Sequence, residues 1–495
     1  MTKVIVVGAG ISGMAAGIYA LQSGFHVTLL EQHTIPGGIC TSWRRKGYLF
    51  EGSMHWLTGS DEKNPINRFW QEVGALSKDS PIYYRDPFIS CQYKGQTACL
   101  YRNLEKLKAH LCDISPKDTP HILRFCKDVK SFTSMNVPIN NIPGLKLKKK
   151  EKAASTLRAL SKMLPMLLRI GSMGKVSVGE YLRQFSHPAI RLLFSQVTND
   201  KYSAIALFFT MACFASGDGG YLEGGSLKMA RNMAKRFEEL GGNIRYGVKA
   251  EKVVTDKGRA SGVFADGSFI TADAVIIASD TLSAIDTLFE TPIGEPWAED
   301  MRKNTKPVNC TFVGLGVEAD LSHIPSTVIY PLDKPITFAG KQLNSISINN
   351  YADYEGYAPE DCTALTMILE GEYDFWKAAS SDGSYKQKKQ ELAEQVIARL
   401  EEKIPAAKGK FVVWDIATPL TYERYCGTYH GSWMTLMPPG NKLVSYPCKP
   451  ENIEGLYFAG QRLQPPGGMP VALITGRQAA QYLCRDYDVV FQGNI

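Results

Sequence analysis

The chain lacks the signatures of metal-dependent hydrolysis and of phosphate-loop chemistry. It contains no HExxH, no Cys/His spacing suited to a metal and no Walker loop. Its 11 cysteines include no CxxC pair, and their odd number argues against a full disulfide framework. Most thiols are therefore expected as small core groups in a reduced, cytoplasmic setting. No uncharged apolar run approaches the roughly 18 residues of a spanning helix. The longest, Ala204 to Ala215, reads as a buried helix. A strong excess of one charge is also missing. The 56 Lys and Arg against 49 Asp and Glu leave +7, too little to argue for nucleic acid. Repeats, low-complexity tracts and long linkers are absent. The first strand begins almost at once, so no signal peptide is expected.

What is present is organised around Lys3 to Glu31. Val4 to Val7 are four apolar residues, all of them β-branched, as suits a strand buried on both faces. Gly8-Ala9-Gly10-Ile11-Ser12-Gly13 follows. Met14, Ile18 and Leu21 then fall at helical spacing, and Gly24 ends that helix. His26 to Leu30 form a second strand, with Glu31 and Gln32 at its end. This is a βαβ dinucleotide fingerprint. Gly8 permits the tight turn, Gly10 admits a pyrophosphate to the backbone, and Gly13 lets helix and strand pack closely. The helix N-terminus offers N–H groups to the diphosphate. Glu31 accepts from an adenosine ribose and repels a 2′-phosphate. The fingerprint alone does not separate FAD from NAD.

Further segments narrow the choice. Pro36-Gly37-Gly38 follows the acid closely, and Gly47-Tyr48-Leu49-Phe50-Glu51-Gly52-Ser53-Met54-His55 comes next. Near the end stand Gly455-Leu456-Tyr457-Phe458-Ala459-Gly460-Gln461 and Pro466-Gly467-Gly468-Met469-Pro470-Val471-Ala472. In these segments the chain resembles the phytoene desaturase, carotenoid isomerase and retinol saturase family of FAD-dependent oxidoreductases, within the amine-oxidase-like flavoprotein class. The resemblance implies an α/β fold, a Rossmann-like FAD-binding domain (GR2-type) with an inserted α+β substrate domain. It implies non-covalent FAD, with Gly37 and Gly38 beside the cofactor and the segment ending at His55 under the flavin. Val248 would hold the adenine by its backbone. Gly460, Gln461, Met469 and Val471 would close the flavin end, where a second helix N-terminus faces the ring. Many relatives carry Asp where this chain has Gln461, which removes a negative charge there. Arg44 and Arg45 are expected near the pyrophosphate, with Glu51 neutralising one of them.

At 495 residues two domains are expected. Residues 1–75, 218–285 and 440–495 are assigned to the FAD-binding domain, and 76–217 and 286–439 to the substrate domain. Asn243 to Val254 reads as one strand. Phe208, Phe209, Met211 and Phe214 are candidate tunnel walls. Thr418 to Tyr425 and Gly427 to Trp433 resemble family segments near flavin and substrate, so Tyr425 and His430 join His55 as catalytic candidates. Within 146–173, five lysines from Lys146 to Lys152 precede a helical pattern. There Arg158, Lys162 and Arg169 gather opposite Leu157, Leu160, Leu164, Leu167 and Leu168. This is a candidate helix for peripheral attachment to an anionic membrane. The expected reaction is desaturation or saturation of a carbon–carbon bond in an apolar polyene, isoprenoid or related lipid, with an external electron acceptor or donor. The alternatives are a redox-neutral polyene isomerase and a non-catalytic flavoprotein electron carrier.

Overall fold

The computed structural model describes residues 2–133, 139–147, 169–440 and 444–493. A five-stranded parallel sheet positions the site. Its order is Leu456–Phe458, Ala274–Ile277, Lys3–Val7, His26–Glu31 and Asn243–Tyr246. Lys3–Val7 lies at the centre, which explains its unbroken apolar run. Val4 and Val6 join the core under the helices, whereas Ile5 and Val7 join the core on the other face. There an antiparallel sheet of Ala250–Asp256, Arg259–Ala265 and Ser268–Thr271 covers them. Its tight turn uses Asp266 and Gly267, both at positive φ, as the Asp-Gly pair requires.

The stretch from Asn243 to Val254, expected as one strand, is two. Asn243–Tyr246 ends the parallel sheet, and Ala250–Asp256 starts the antiparallel one. Gly247, at φ +72°, turns the chain between them.

On the helical face, Ile11–Gln22 lies between Gly225–Glu239 and Gly468–Asp486. Small residues allow this approach. A Cβ on Gly476 would sit 2.4 Å from the Ser12 carbonyl oxygen, and one on Gly17 would sit 2.5 Å from Phe237.

A seven-stranded sheet forms a second layer. Its order is Phe411–Ala417, Cys310–Val317, Thr363–Glu370, Lys341–Asn350, Thr327–Phe338, Ile89–Tyr93 and Gln96–Leu100. Its neighbours are antiparallel except one pair: Ile89–Tyr93 runs parallel to Thr327–Phe338, with Ser90 opposite Val328. Leu104–Ile114, Thr119–Phe132, Pro188–Val197 and Ala204–Ala215 share a separate apolar core beside this sheet.

Most of the candidate membrane segment, 148–168, lies outside the described residues. At its edges, Lys146 pairs with Asp488 at 2.5 Å. Arg169 does not stand on a free basic face. Its Nε donates to Asp128 at 2.8 Å, its Nη2 pairs with the same carboxylate, and the side chain is only 18% exposed. No helix among the described residues is long and apolar enough to cross a membrane.

Candidate functional site

One cavity of about 1670 Å³ runs from the glycine turn to an aromatic chamber between the two large sheets. At its polar end Gly8, Gly10, Ile11 and Ser12 form the wall. Gly10 is instructive. Its φ is −70°, which any residue adopts, and a Cβ there would meet only the Gly37 carbonyl oxygen, at 3.9 Å. Neither backbone strain nor protein packing therefore demands glycine; the space it leaves belongs to the cavity. Gly13 differs, since its Cβ would fall 1.9 Å from the Gly8 carbonyl oxygen. Gly13 and Ala9 are not on the wall. Gly13 seats the helix, and the buried Ala9 N–H donates to Glu31 Oε2 at 2.7 Å. No side chain caps Ile11–Gln22, so its first N–H groups remain for an anion.

Glu31 is buried, and its other oxygen accepts from the His33 N–H at 2.8 Å. Burial raises its pKa, and these two amide donors oppose the rise. Gln32, Gly37 and Gly38 line the same end. The Gln32 side chain donates to the Tyr425 carbonyl at 2.9 Å. Val248 is also on the wall, but its N–H donates to the Glu31 carbonyl at 2.9 Å. That N–H is therefore already engaged within the protein.

Gly460, Gln461, Met469 and Val471 all line the cavity where Gly468–Asp486 begins. Gln461 links two elements. Its Oε1 accepts from the Gly468 N–H at 3.1 Å, and its Nε2 donates to the Trp433 carbonyl at 3.1 Å. The next residue carries a charge that sequence reading missed. Arg462 donates to Asp280 Oδ2 through Nε at 2.9 Å and Nη2 at 2.7 Å, with side chains 2% and 4% exposed. Asp280 also caps Thr281–Thr287, and both charged residues reach the cavity wall. They are 182 residues apart, so no local pattern announces the pair.

His55 lies on the wall, half-buried, with the Trp433 ring 6.2 Å away. Its Nδ1 is 3.3 Å from Asn349 Nδ2. Burial, and then the positive charge of Arg85, push its pKa down to about 4. It is a neutral imidazole at pH 7.

Four other expectations fail. Arg45 is on the outer surface, paired with Asp415 at 2.8 Å and away from the cavity. Arg44 donates to the carbonyls of Gly47 and Gly356. Glu51 neutralises neither arginine. It is fully buried and accepts from the N–H groups of Ser53, Met54 and Ser226 and from the Tyr221 hydroxyl. Tyr425 is 44% exposed and packs on His33 outside the cavity, because Pro419–Cys426 buries Tyr422 instead. His430 does reach the wall, but as an exposed group stacked between Tyr373 and Tyr429 at 4.6 and 4.1 Å.

The apolar chamber is walled by Trp56, Phe88, Phe209 and Phe214. Phe208 and Met211 are fully packed core rather than wall, since they point from Ala204–Ala215 into the helical cluster. Arg85, Thr327, Ser347 and Asn349 also reach the chamber, and none carries a sequence signal.

The flavin containing amine oxidoreductase family model matches residues 11–484. The chain is 25% identical to a lycopene-forming phytoene desaturase of Paracoccus sp., over 97% of each chain. It is 24% identical to a chloroplastic prolycopene isomerase of Daucus carota, over 97% of this chain and 80% of that one. Its fold matches that of cyclohexylamine oxidase from Brevibacterium oxydans with a TM-score of 0.62 at 14% identity, covering 98% of this chain and 99% of that one. Putrescine oxidase bound to putrescine matches with a TM-score of 0.61 at 15% identity, covering 97% and 98%. A glycine turn with room for a diphosphate, a buried acid at the second strand and a second helix start at the far wall suit FAD. The chain belongs to the flavin containing amine oxidoreductase family, and its cofactor is FAD.

Proposed function

We propose that this protein is an FAD-dependent oxidoreductase that desaturates or saturates a carbon–carbon bond of an apolar polyene, isoprenoid or related lipid. The observation that carries the reading is the continuity of the cavity. The glycine turn and the apolar chamber are two ends of one space, so a substrate in the chamber can lie against a cofactor seated at the turn. The names of the carotenoid desaturases and isomerases among its relatives point the same way.

In this reading Gly8, Gly10, Ile11 and Ser12 hold the diphosphate, Glu31 takes the ribose and Val248 borders the adenine. Gln461, Met469 and Val471 border the flavin. Bound FAD supplies the hydride chemistry itself. The chain's own tasks are to seat an alkene or alkane, exclude water and orient both partners. Trp56, Phe88, Phe209 and Phe214 do the first two. His55, being neutral, serves as a hydrogen-bonding and orienting group rather than as an imidazolium acid. Peripheral contact of residues 146–173 with a bilayer would deliver such a substrate.

A second reading, redox-neutral isomerisation of a polyene, draws support from the prolycopene isomerases among the relatives. The deciding experiment is anaerobic mixing of the yellow protein, and separately of the photoreduced protein, with a panel of apolar alkenes and alkanes. Loss of flavin colour with a product two mass units lighter supports desaturation, and return of colour to the reduced protein with a product two mass units heavier supports saturation. An isomer of unchanged mass supports the second reading. No spectral change and no product with any member, in either flavin state, would overturn both.

A further inference from the structure

Three rings stand together on the cavity wall: Trp433, His55 and Trp56. The imidazole centre lies 6.2 Å from the Trp433 ring and 6.3 Å from the Trp56 ring. The two indoles are seated from different sides. The Trp433 carbonyl accepts from Gln461 of the closing motif, and its N–H donates to the Val308 carbonyl at 2.8 Å. Trp56 packs edge-on against Phe214 of the aromatic chamber, with ring centres 5.3 Å apart. The three rings therefore mark the junction between the cofactor end of the cavity and the chamber.

Behind His55 the polar side chains form a run of donors. Arg85 Nη1 donates to Thr327 Oγ1 at 3.5 Å, Thr327 donates to Asn349 Oδ1 at 3.0 Å, and Asn349 Nδ2 donates to His55 Nδ1 at 3.3 Å. Every hydrogen points the same way, and the run starts on a cation, which polarises each bond after it. It ends on the Nε2–H of His55. That nitrogen has no hydrogen-bond partner among the described residues, and protein does not seal it. His55 is far from the outer surface, since burial is the main cause of its low pKa. The surface it keeps therefore belongs to the cavity. The indole nitrogens of Trp56 and Trp433 are likewise unsealed and without a partner among the described residues. All three N–H groups donate and cannot accept. A hydrocarbon filling this junction would drive water from them and leave their hydrogen bonds unmade, which is costly.

We infer that the substrate carries a carbonyl oxygen beside its reacting carbon–carbon bond, and that His55 donates its Nε2–H to that oxygen. This rests on the apolar-substrate reading above and narrows it to long-chain ketones and aldehydes. A hydroxyl would need an acceptor for its own hydrogen, and none of the three rings offers one. A carboxylate would bring a charge that a neutral imidazole and two indoles do not balance. A carbonyl has two lone pairs and no hydrogen, so it suits a site made of donors alone. A neutral imidazole N–H polarises such an oxygen while keeping its proton. The oxygen thereby sets which carbons lie against the cofactor.

The test uses the FAD-loaded, oxidised protein with two probes of one shape. These are trans-3-pentadecen-2-one and 2-methyl-1,3-pentadecadiene, in which a CH2 replaces the ketone oxygen. Affinity is read from tryptophan fluorescence, since Trp56 and Trp433 line the cavity. The bound carbonyl is read by infrared difference spectroscopy. Its stretch is expected at lower frequency than in hexadecane. His55→Phe should return it to the hexadecane value and weaken ketone binding about tenfold, with diene affinity held within about twofold. His55→Gln retains an N–H donor and should keep part of both effects. A wild-type carbonyl at its hexadecane frequency overturns the inference without any variant. So does binding of the diene alone, which leaves the apolar chamber standing. Failure of both probes to bind overturns the apolar reading as well. A shift that survives His55→Phe places the donor elsewhere and overturns the assignment. An altered flavin spectrum in His55→Phe with unchanged ketone affinity also overturns it, because the imidazole would then serve the cofactor.

Discussion

Asn349 donates its side-chain N–H to Nδ1 of His55 across 3.3 Å. The Asn349 oxygen accepts from Thr327 at 3.0 Å. In this orientation of the amide a neutral His55 accepts at Nδ1 and donates at Nε2. The imidazole is held by a group that cannot itself ionise.

This arrangement has a pH signature. The folded pKa of His55 is pushed down to about 4, against about 6.5 in the unfolded chain. Between those values the unfolded state binds a proton that the folded state refuses. Stability is thus present above about pH 6.5 and lost as pH falls toward about 4, by at most about 1.4 kcal/mol per pH unit. Urea unfolding across this window should show the slope. His55→Gln should flatten it; an unchanged slope would mean that another group carries it.

Two neighbouring glycines should fail in different ways. Gly10→Val fills space that only the cavity uses, so the chain should fold and lose FAD. Gly13→Ala drives a methyl into the Gly8 carbonyl, so the fold itself should weaken. Flavin absorbance of the purified proteins, alongside thermal unfolding of the apoproteins, separates the two. Full flavin occupancy in Gly10→Val would show that the diphosphate does not lie there.

The buried pair of Asp280 and Arg462 ties the parallel sheet to the closing motif. Arg462→Met leaves Asp280 buried and unpaired, which typically costs about 3–5 kcal/mol. Denaturant unfolding should report a loss of that order. Replacing both partners together should recover part of it.

The lysines before the proposed membrane helix make a separate prediction. Lys148, Lys149 and Lys150 changed together to Glu should weaken co-sedimentation with anionic vesicles, most clearly at low salt. Arg169→Ala should instead lower stability, since Arg169 neutralises the mostly buried Asp128. Equal sedimentation of the triple variant and the wild type would remove the membrane proposal.

The sequence by itself determined the dinucleotide end of this protein. Its signals are short-range: an apolar run, three glycines, a helix and an acid within about thirty residues, and a matching strand and helix at the far end. Each residue there acts on neighbours that the spacing already names. Tertiary structure alone decided the chamber. Arg85 meets Thr327 because Ile89–Tyr93 pairs in parallel with Thr327–Phe338, a contact spanning 242 residues at the arginine. Parallel pairing needs no local turn and leaves no local mark. The same holds for His55 with Asn349 and for Asp280 with Arg462. It also decided which residues of a legible segment face inward. Arg45 and Tyr425 stand in motif-like stretches, yet Asp415 draws one outward and the burial of Tyr422 leaves the other on the surface. Which way a side chain points depends on what packs against its element, and that is a property of the whole fold.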